Sequence, residues 1–238
     1  MNPRLSVNIN KVALIRNSRG SELPNLFEFA KKCELYGAQG ITVHPRPDQR
    51  HVKYSDLKSL KKLVTTEFNI EGYPSEEFIR LVCEIRPDQV TLVPDPPEVL
   101  TSNAGWDCKQ NAEFLTPIIH HFQNQGIRVS LFLNPEPEMV YYAKQSGTDR
   151  IELYTGPYAE EFTLSAEKAI SKYKATAMEC VRNGLGVNAG HDLNLDNLNY
   201  FRQQIPNLLE VSIGHALISD CLYFGLGNVI PMYLDCLK

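Results

Sequence analysis

The sequence predicts an α/β protein, a single (β/α)8 barrel of the TIM type, with residues 1–238 forming one domain. Three observations predict it. Eight short stretches alternate apolar and polar residues with period two, close on turn-type or polar residues, and are each followed by a longer helical pattern. Dividing the 238 residues by eight gives about 30 per strand-plus-helix unit, which suits a fold whose typical length is about 250 residues. In each stretch one alternate set of side chains is apolar and the other is largely polar, as a barrel with a wet interior requires.

The strand candidates, in order, are LSVNIN (5–10), GITVHP (40–45), EFNIEGY (67–73), QVTLVP (89–94), RVSLFLN (128–134), RIELYTG (150–156), GLGVNAG (184–190) and LEVSIGHAL (209–217). The helices between them carry their own signals. Pro24 suits a first helical turn. Ser75 with Glu76 and Glu77 provides a capping hydroxyl and acidic residues for a helix that must stop before Pro87. Asp107 is a candidate cap for a long segment to Gln125 that Gly126 would end. In KYSDLKSLKKL (53–63), Leu57, Leu60 and Leu63 mark a buried stripe and the lysines a solvated face. His120 and His121 fall mid-helix and are expected on the surface. The Pro-rich stretch 93–107 after the fourth strand is expected at the active face, as a lid or a rigid connection.

Composition narrows the function. With 43% hydrophobic and 22% charged residues the chain is globular rather than disordered. A formal charge of −4 gives no general attraction to nucleic acid or anionic lipid, so any positive charge that matters must be local. No run of about 18 apolar residues is present to span a bilayer, and MNPRLSVNIN lacks the apolar centre of a signal peptide. A cytoplasmic location is therefore expected, without nucleic-acid or membrane partners. Six widely spaced cysteines with no C-x-x-C pair read as free thiols acting as small apolar residues.

The outward set of strand residues is apolar throughout: Val7 and Ile9, Ile41 and Val43, Phe68 and Ile70, Val90 and Leu92, Val129 and Leu131, Ile151 and Leu153, Leu185 and Val187, Val211 and Ile213. The alternate set holds Asn8, Asn10, Thr42, His44, Asn69, Glu71, Ser130, Asn134, Glu152, Asn188, Ser212 and Gly214. Burying so many polar groups costs free energy unless they bind each other or a ligand, which marks the upper barrel as an active site. His44, Glu71, Glu152, His191 and His215 fall late in their strands or just beyond, at the face where such barrels do chemistry. Two carboxylates and three imidazoles there point to general acid–base catalysis.

Phosphate recognition is the second theme. Arg16 and Arg19 follow the first strand in LIRNSRG, and Arg46, Arg50 and His51 follow the second in HPRPDQRH. Arginine offers paired donors to phosphate, and the turns Ala189-Gly190-His191 and Ile213-Gly214-His215 let backbone N–H groups approach an anion. Two anionic binding points are expected. No His pair at i, i+2 or i, i+4 suggests a metal; convergence of His44, His191, His215, Glu71 and Glu152 on one stays open as a second reading.

At these motifs the chain resembles the pyridoxine 5′-phosphate synthase family. The resemblance is carried by VNIN with RNSRG (7–20), GITVHPRPDQRH (40–51), NIEGYPSEEF (69–78), LVP with LTSNAGWD (92–107), IELYTG (151–156), VNAGH (187–191) and SIGHA (212–216). It implies condensation of 3-amino-2-oxopropyl phosphate with 1-deoxy-D-xylulose 5-phosphate, with release of phosphate and water and without metal or organic cofactor. His44 and Glu71 would be general bases, His191 a proton donor, and Glu152 a transition-state stabiliser. Asn8, Arg19, Gly214 and His215 would hold the amino-ketone phosphate, and Arg46, His51 and Thr101 the deoxyxylulose phosphate. It also implies a homo-oligomer, an octamer, for which apolar Leu222, Tyr223, Phe224 and Leu226 are interface or core candidates.

Four residues depart from the family's commonest pattern. Asn10-Lys11 stands where Asp-His is usual, Asp192 where Gly is usual, and Tyr154 where His is common. The expectation is that Lys11 supplies a phosphate or carbonyl contact while Asp192 offsets its charge across the barrel mouth. Competing readings are a metal-dependent sugar-phosphate isomerase or hydrolase, a relative with a different second substrate, and a barrel that only binds a phosphorylated metabolite.

Overall fold

Alternation along the strands closes them into a ring. In the structure, a computed structural model that describes residues 2–95 and 104–238, eight parallel strands pair in sequence order and the eighth returns to the first. They are β1 (Arg4–Asn8), β2 (Gly40–Val43), β3 (Glu67–Gly72), β4 (Gln89–Leu92), β5 (Arg128–Leu133), β6 (Arg150–Tyr154), β7 (Gly186–Gly190) and β8 (Leu208–Ile213). β1 closes the barrel through Leu5 opposite Val211 and Val7 opposite Ile213. The expected (β/α)8 barrel is what the chain forms.

Helices cover the outside. They are α1 (Asn10–Asn17), α2 (Leu26–Leu35), α3 (Tyr54–Leu63), α4 (Glu76–Ile85), α5 (Ala112–Gln123), α6 (Pro137–Gln145), α7 (Gly156–Phe162), α8 (Ala166–Asn183), α9 (Leu198–Gln204), α10 (His215–Phe224) and α11 (Leu226–Cys236). Every member of the outward strand set is buried and joins one continuous apolar layer with helix residues such as Leu57, Leu60, Val82, Leu115 and Ile119. At roughly 25 cal/mol per Å² removed from water, that layer supplies the main drive for folding. Buried Cys33, Cys108 and Cys180 serve in it as small apolar side chains.

Local signals act as their chemistry demands. Ser75 Oγ accepts from the Phe78 amide at 3.2 Å and starts α4. That helix ends on Arg86, left-handed at φ 52°, just before Pro87. Two starts differ from expectation. Pro24 follows a cis peptide bond and lies outside the helix; Asn25 caps α2 instead, its Oδ1 accepting from Phe27 and Glu28 at 3.0 and 2.9 Å. Asp107 Oδ1 takes the Gln110 amide in a preceding turn, so α5 begins only after Asn111. The strands β1, β2, β4, β6 and β8 end two or more residues earlier than their polar alternation suggested, because the chain turns at once into loops or helices there.

The interior is polar along its length. Ser6 pairs with Thr42 at 2.7 Å, Asn69 Nδ2 donates to Thr42 Oγ1 at 3.3 Å, and Thr91 Oγ1 donates to Asn69 Oδ1 at 3.2 Å. Such mutual satisfaction makes a wet core tolerable. At the N-terminal end of the barrel Glu67 accepts from Arg4 Nη1 at 3.0 Å and from Arg128 Nη2, while Arg128 Nε donates to Gln89 at 2.9 Å. Charged side chains thus close the end opposite the loops that follow the strands. No helix among the described residues is long and apolar enough to cross a membrane. Leu222, Tyr223 and Phe224 are exposed at the end of α10, which makes them surface rather than core.

Candidate active site

Two strand ends bring the first pair of titratable groups together. His44 leaves β2 and Glu71 lies in β3, and His44 Nδ1 stands 4.0 Å from Glu71 Oε2 with both side chains almost out of water. Asn8, from the end of β1, donates its amide to the same carboxyl oxygen at 3.3 Å. Asn10 accepts the His44 backbone amide on its Oδ1 at 2.9 Å. Its role here is to hold the main chain that carries the imidazole. Lys11, in the first turn of α1, stays exposed.

Glu152 in β6 completes the acidic set from the far wall. It is buried and accepts from Thr91 Oγ1 at 3.4 Å. Burial, reinforced by the Glu71 charge, pushes its carboxyl well above the usual carboxylate range. Glu71 itself is pushed up to about 8, first by burial and then by the nearby Asp95 carboxylate. His44 moves the other way: burial, then Arg46, His51 and Arg50, hold its imidazole well below the ordinary value and therefore neutral. The site consequently offers a neutral base, a carboxyl poised close to neutrality, and a protonated carboxylic acid able to donate a hydrogen bond. Groups driven apart in this way are the signature of acid–base assignment.

The cationic rim is unequal. Arg46 is buried and its Nη2 meets Asp95 Oδ2 at 3.2 Å. His51 lies edge-on to His44 with ring centres 6.3 Å apart. Burial, Arg46 and Arg50 lower the His51 imidazole to about 4, which leaves the ring neutral. His44, Arg46, Tyr54, Tyr73, Phe78 and Asp95 enclose a hollow of about 40 Å³. A larger hollow, about 510 Å³, lies at the opposite end among Arg4, Glu67, Asp88 and Arg128. The smaller one adjoins the titratable cluster at the face where barrel chemistry occurs, and that decides its relevance. Arg16 corrects the phosphate expectation: it is buried and its guanidinium is spent on Asp56 at 2.9 and 2.8 Å. Arg19 is exposed in the turn after α1. Thr101 and most of the stretch expected as a lid lie outside the described residues.

The β7 end is built around contact. Gly190 has no side chain because a Cβ there would overlap Glu152 Oε1. Beyond it His191 and Asp192 both take positive φ, 82° and 56°, a conformation that costs about 1–3 kcal/mol per non-glycine residue. Thr155 holds the bend, its hydroxyl donating to the carbonyls of Gly190 and His191. His191 Nδ1 lies 2.7 Å from Asp192 Oδ2, and the His191 ring stands edge-on to Tyr154 at 5.3 Å. The hydrogen bond to His191 keeps the Asp192 carboxyl low against burial, the next largest effect, with help from the His191, His215 and Lys11 charges. Next door Gly214 packs on Asn8, whose Cβ would be 3.1 Å from a Cβ at Gly214, and His215 opens α10. Backbone N–H groups at that helix start suit an anion.

Sequence reasoning passed over Asp56, Asp95, Thr91 and Thr155. Thr91 shares the inward parity of its strand and was readable from it. The other three act through partners distant in sequence. Among the described residues no group of three or more His, Cys, Asp or Glu side chains is arranged to hold a metal ion.

Comparison with known proteins gives a consistent picture. The family profile described as "Pyridoxal phosphate biosynthesis protein PdxJ" matches residues 5–238. The chain is 58% identical over 235 residues to the pyridoxine 5′-phosphate synthase of Cytophaga hutchinsonii, covering 99% of each chain. It is 55% identical over 235 residues to that of Bacteroides thetaiotaomicron, again with 99% of each covered. Among solved structures, KGPDC from Streptococcus mutans superposes with a TM-score of 0.66 at 11% identity, covering 100% of this chain and 98% of that one. A phosphoribosylanthranilate isomerase from Thermotoga maritima gives 0.56 at 13%, covering 99% and 98%. At such low identity these structural likenesses speak for the barrel alone.

Proposed function

The chain belongs to the PdxJ family of pyridoxal phosphate biosynthesis proteins, and from that premise we propose that it is a pyridoxine 5′-phosphate synthase working by acid–base catalysis in the mouth of its barrel. Its substrates are 3-amino-2-oxopropyl phosphate and 1-deoxy-D-xylulose 5-phosphate. Condensing an amine with a ketone expels water, and joining two carbons requires a proton to leave one of them, so several proton transfers must be served at neutral pH. The single observation that carries this reading is the buried trio of His44, Glu71 and Glu152, whose proton affinities burial and neighbouring charge drive in opposite directions.

In this reading His44 and Glu71 take protons. His44 is a neutral imidazole ready to accept, and Glu71 switches between acid and base near working pH. Glu152, protonated, donates to oxygen that gains charge in the transition state. His191, with Nδ1 engaged by Asp192, gives a proton to a departing group. Asn8, Arg19, Gly214 and His215 hold one phosphate; Arg46, His51 and Thr101 hold the other. Lys11, exposed in the first turn of α1, supplies a phosphate or carbonyl contact, with Asp192 offsetting its charge. Exposed Leu222, Tyr223 and Phe224 suit self-association into a homo-oligomer, and chemistry on phosphorylated metabolites suits the cytoplasm. The metal-dependent isomerase or hydrolase reading has no observation in its favour.

The test mixes the purified chain with both substrates and follows products. Pyridoxine 5′-phosphate and inorganic phosphate should form in equal amounts, and omitting either substrate should abolish both. A folded protein that makes neither overturns the proposal.

A further inference from the structure

Arg16 and Asp56 form a buried ion pair that no proton transfer needs. Arg16 lies in the last turn of α1 with its Nη1 and Nη2 donating to Asp56 Oδ1 and Oδ2 at 2.9 and 2.8 Å, and the two side chains are only 4% and 9% exposed. Such a fork fixes geometry well. A buried pair is nonetheless weak evidence for stability, because desolvating two charges offsets most of their attraction. What the pair touches is therefore more informative than its energy.

It touches the loop between β2 and α3 from behind. Asp56 Oδ2 accepts the Lys53 amide at 2.8 Å, which anchors the end of that loop. Arg16 Nη2 donates to the His51 carbonyl at 3.4 Å, and Arg16 Nε donates to Asn17 Oδ1 at 3.1 Å. With its oxygen so engaged, the Asn17 amide nitrogen faces the other way and donates to the carbonyls of Arg50 and His51 at 3.1 and 2.6 Å. On the front of the same loop stand Arg46 and His51. His51 Nδ1 is buried and takes no hydrogen bond from a protein group, so its hydrogen-bonding capacity is open to a group that docks against the loop.

We propose that Arg16, Asn17 and Asp56 are positioning residues for the deoxyxylulose phosphate site, locking the main chain at Arg50 and His51 so that the His51 imidazole and the Arg46 guanidinium meet one phosphate together. This rests on the reading of Arg46 and His51 as contacts for that phosphate. α1 then links both halves of the site, since Asn10 at its start holds the His44 amide and Asn17 at its end holds the phosphate loop.

The test compares steady-state kinetics and melting of Asn17→Asp, Asn17→Ala and Arg16→Lys with His51→Ala as reference. Asn17→Asp turns a double donor into an acceptor facing two carbonyls. It should raise KM for 1-deoxy-D-xylulose 5-phosphate about tenfold, with KM for 3-amino-2-oxopropyl phosphate within about twofold and kcat within about threefold. Asn17→Ala should do the same more weakly, and Arg16→Lys, which keeps the charge but not the fork, should fall between. Combined with His51→Ala, Asn17→Asp should add almost nothing, because both act on one contact. Equal changes in both KM values, a change in melting alone, or additive effects would overturn the proposal. If His51→Ala itself leaves KM unchanged, the phosphate reading beneath it fails instead. Should Asn17→Asp not fold, Asn17→Ala carries the same comparison.

Discussion

Replacing Glu71 by Gln should stabilise the folded chain by an amount that grows as pH rises from about 5 to above 8. Gln keeps an oxygen for Asn8 and much the same shape but can never ionise. In the folded chain burial and the Asp95 charge hold the Glu71 carboxyl at about 8 against an ordinary 4.5. Between those values the folded form keeps a proton that the unfolded form has lost, so stability falls as pH rises and the loss is complete above 8. At 1.36 kcal/mol per tenfold change in acidity, the cost reaches about 5 kcal/mol. Local relaxation and water entry reduce it to about 2–5 kcal/mol. For a chain of this size each kcal/mol moves Tm by about 2–4 °C. The assay is thermal unfolding by circular dichroism of both proteins at pH 5 and pH 9. Glu71→Gln should gain about 5–15 °C on the wild type in going from pH 5 to pH 9; any fixed effect of the amide cancels in that difference. A gap independent of pH, or a variant relatively weaker at pH 9, would refute the assignment of Glu71 as a carboxyl held protonated by burial.

Three further outcomes follow from named contacts. His44, kept neutral by burial and by Arg46, should show a neutral imidazole in nitrogen-detected NMR at pH 6, where a free histidine is mostly protonated; an imidazolium signal there contradicts the electrostatics. Gly190→Ala should retain the fold but lose at least about tenfold in kcat, because the new methyl overlaps the Glu152 carboxyl and small displacements of catalytic groups are expensive; unchanged kcat refutes the packing argument. Leu60→Ala, at a fully buried position of α3, should lose about 2–5 kcal/mol in denaturant unfolding with little effect on KM, and a loss below about 1 kcal/mol would mean that α3 does not seal the barrel wall.

The barrel was legible because its two faces obey different rules. Val7, Ile41, Phe68 and the other outward residues are apolar since helices cover them; the inward residues are polar since they line the site, and period two separates the sets cleanly. The same parity extends further than the reading took it. Glu67 stands two residues before Asn69 in β3, and Glu210 two before Ser212 in β8, so the charged end of the interior was written in the strands that yielded Glu71 and Ser212. Capping was read correctly at Ser75, where hydroxyl, acidic first turn and following proline agree. It missed at Pro24 because Asn25, one position later, offers a better acceptor to two free amides. Arg16 shows the harder limit. From its place after β1 it resembles a phosphate ligand, and only the approach of Asp56, forty residues away in sequence, turns it into a support for the loop that carries Arg46 and His51. Local sequence records residue type and spacing; the pairing of distant charges is set by how the loops fold over the barrel mouth.

If this barrel closes the pyridine ring by proton transfers through Glu71 and its neighbours, removing the Glu71 proton must stop turnover while leaving the substrates bound. The measurement that tests it most directly follows pyridoxine 5′-phosphate formation by the wild type and by Glu71→Gln, side by side, at saturating levels of both substrates, with binding of each substrate checked by calorimetry. Steady product is expected from the wild type, and a loss of at least about a hundredfold in the variant with binding largely intact. No product from folded wild type, or a variant that turns over as fast, would contradict it.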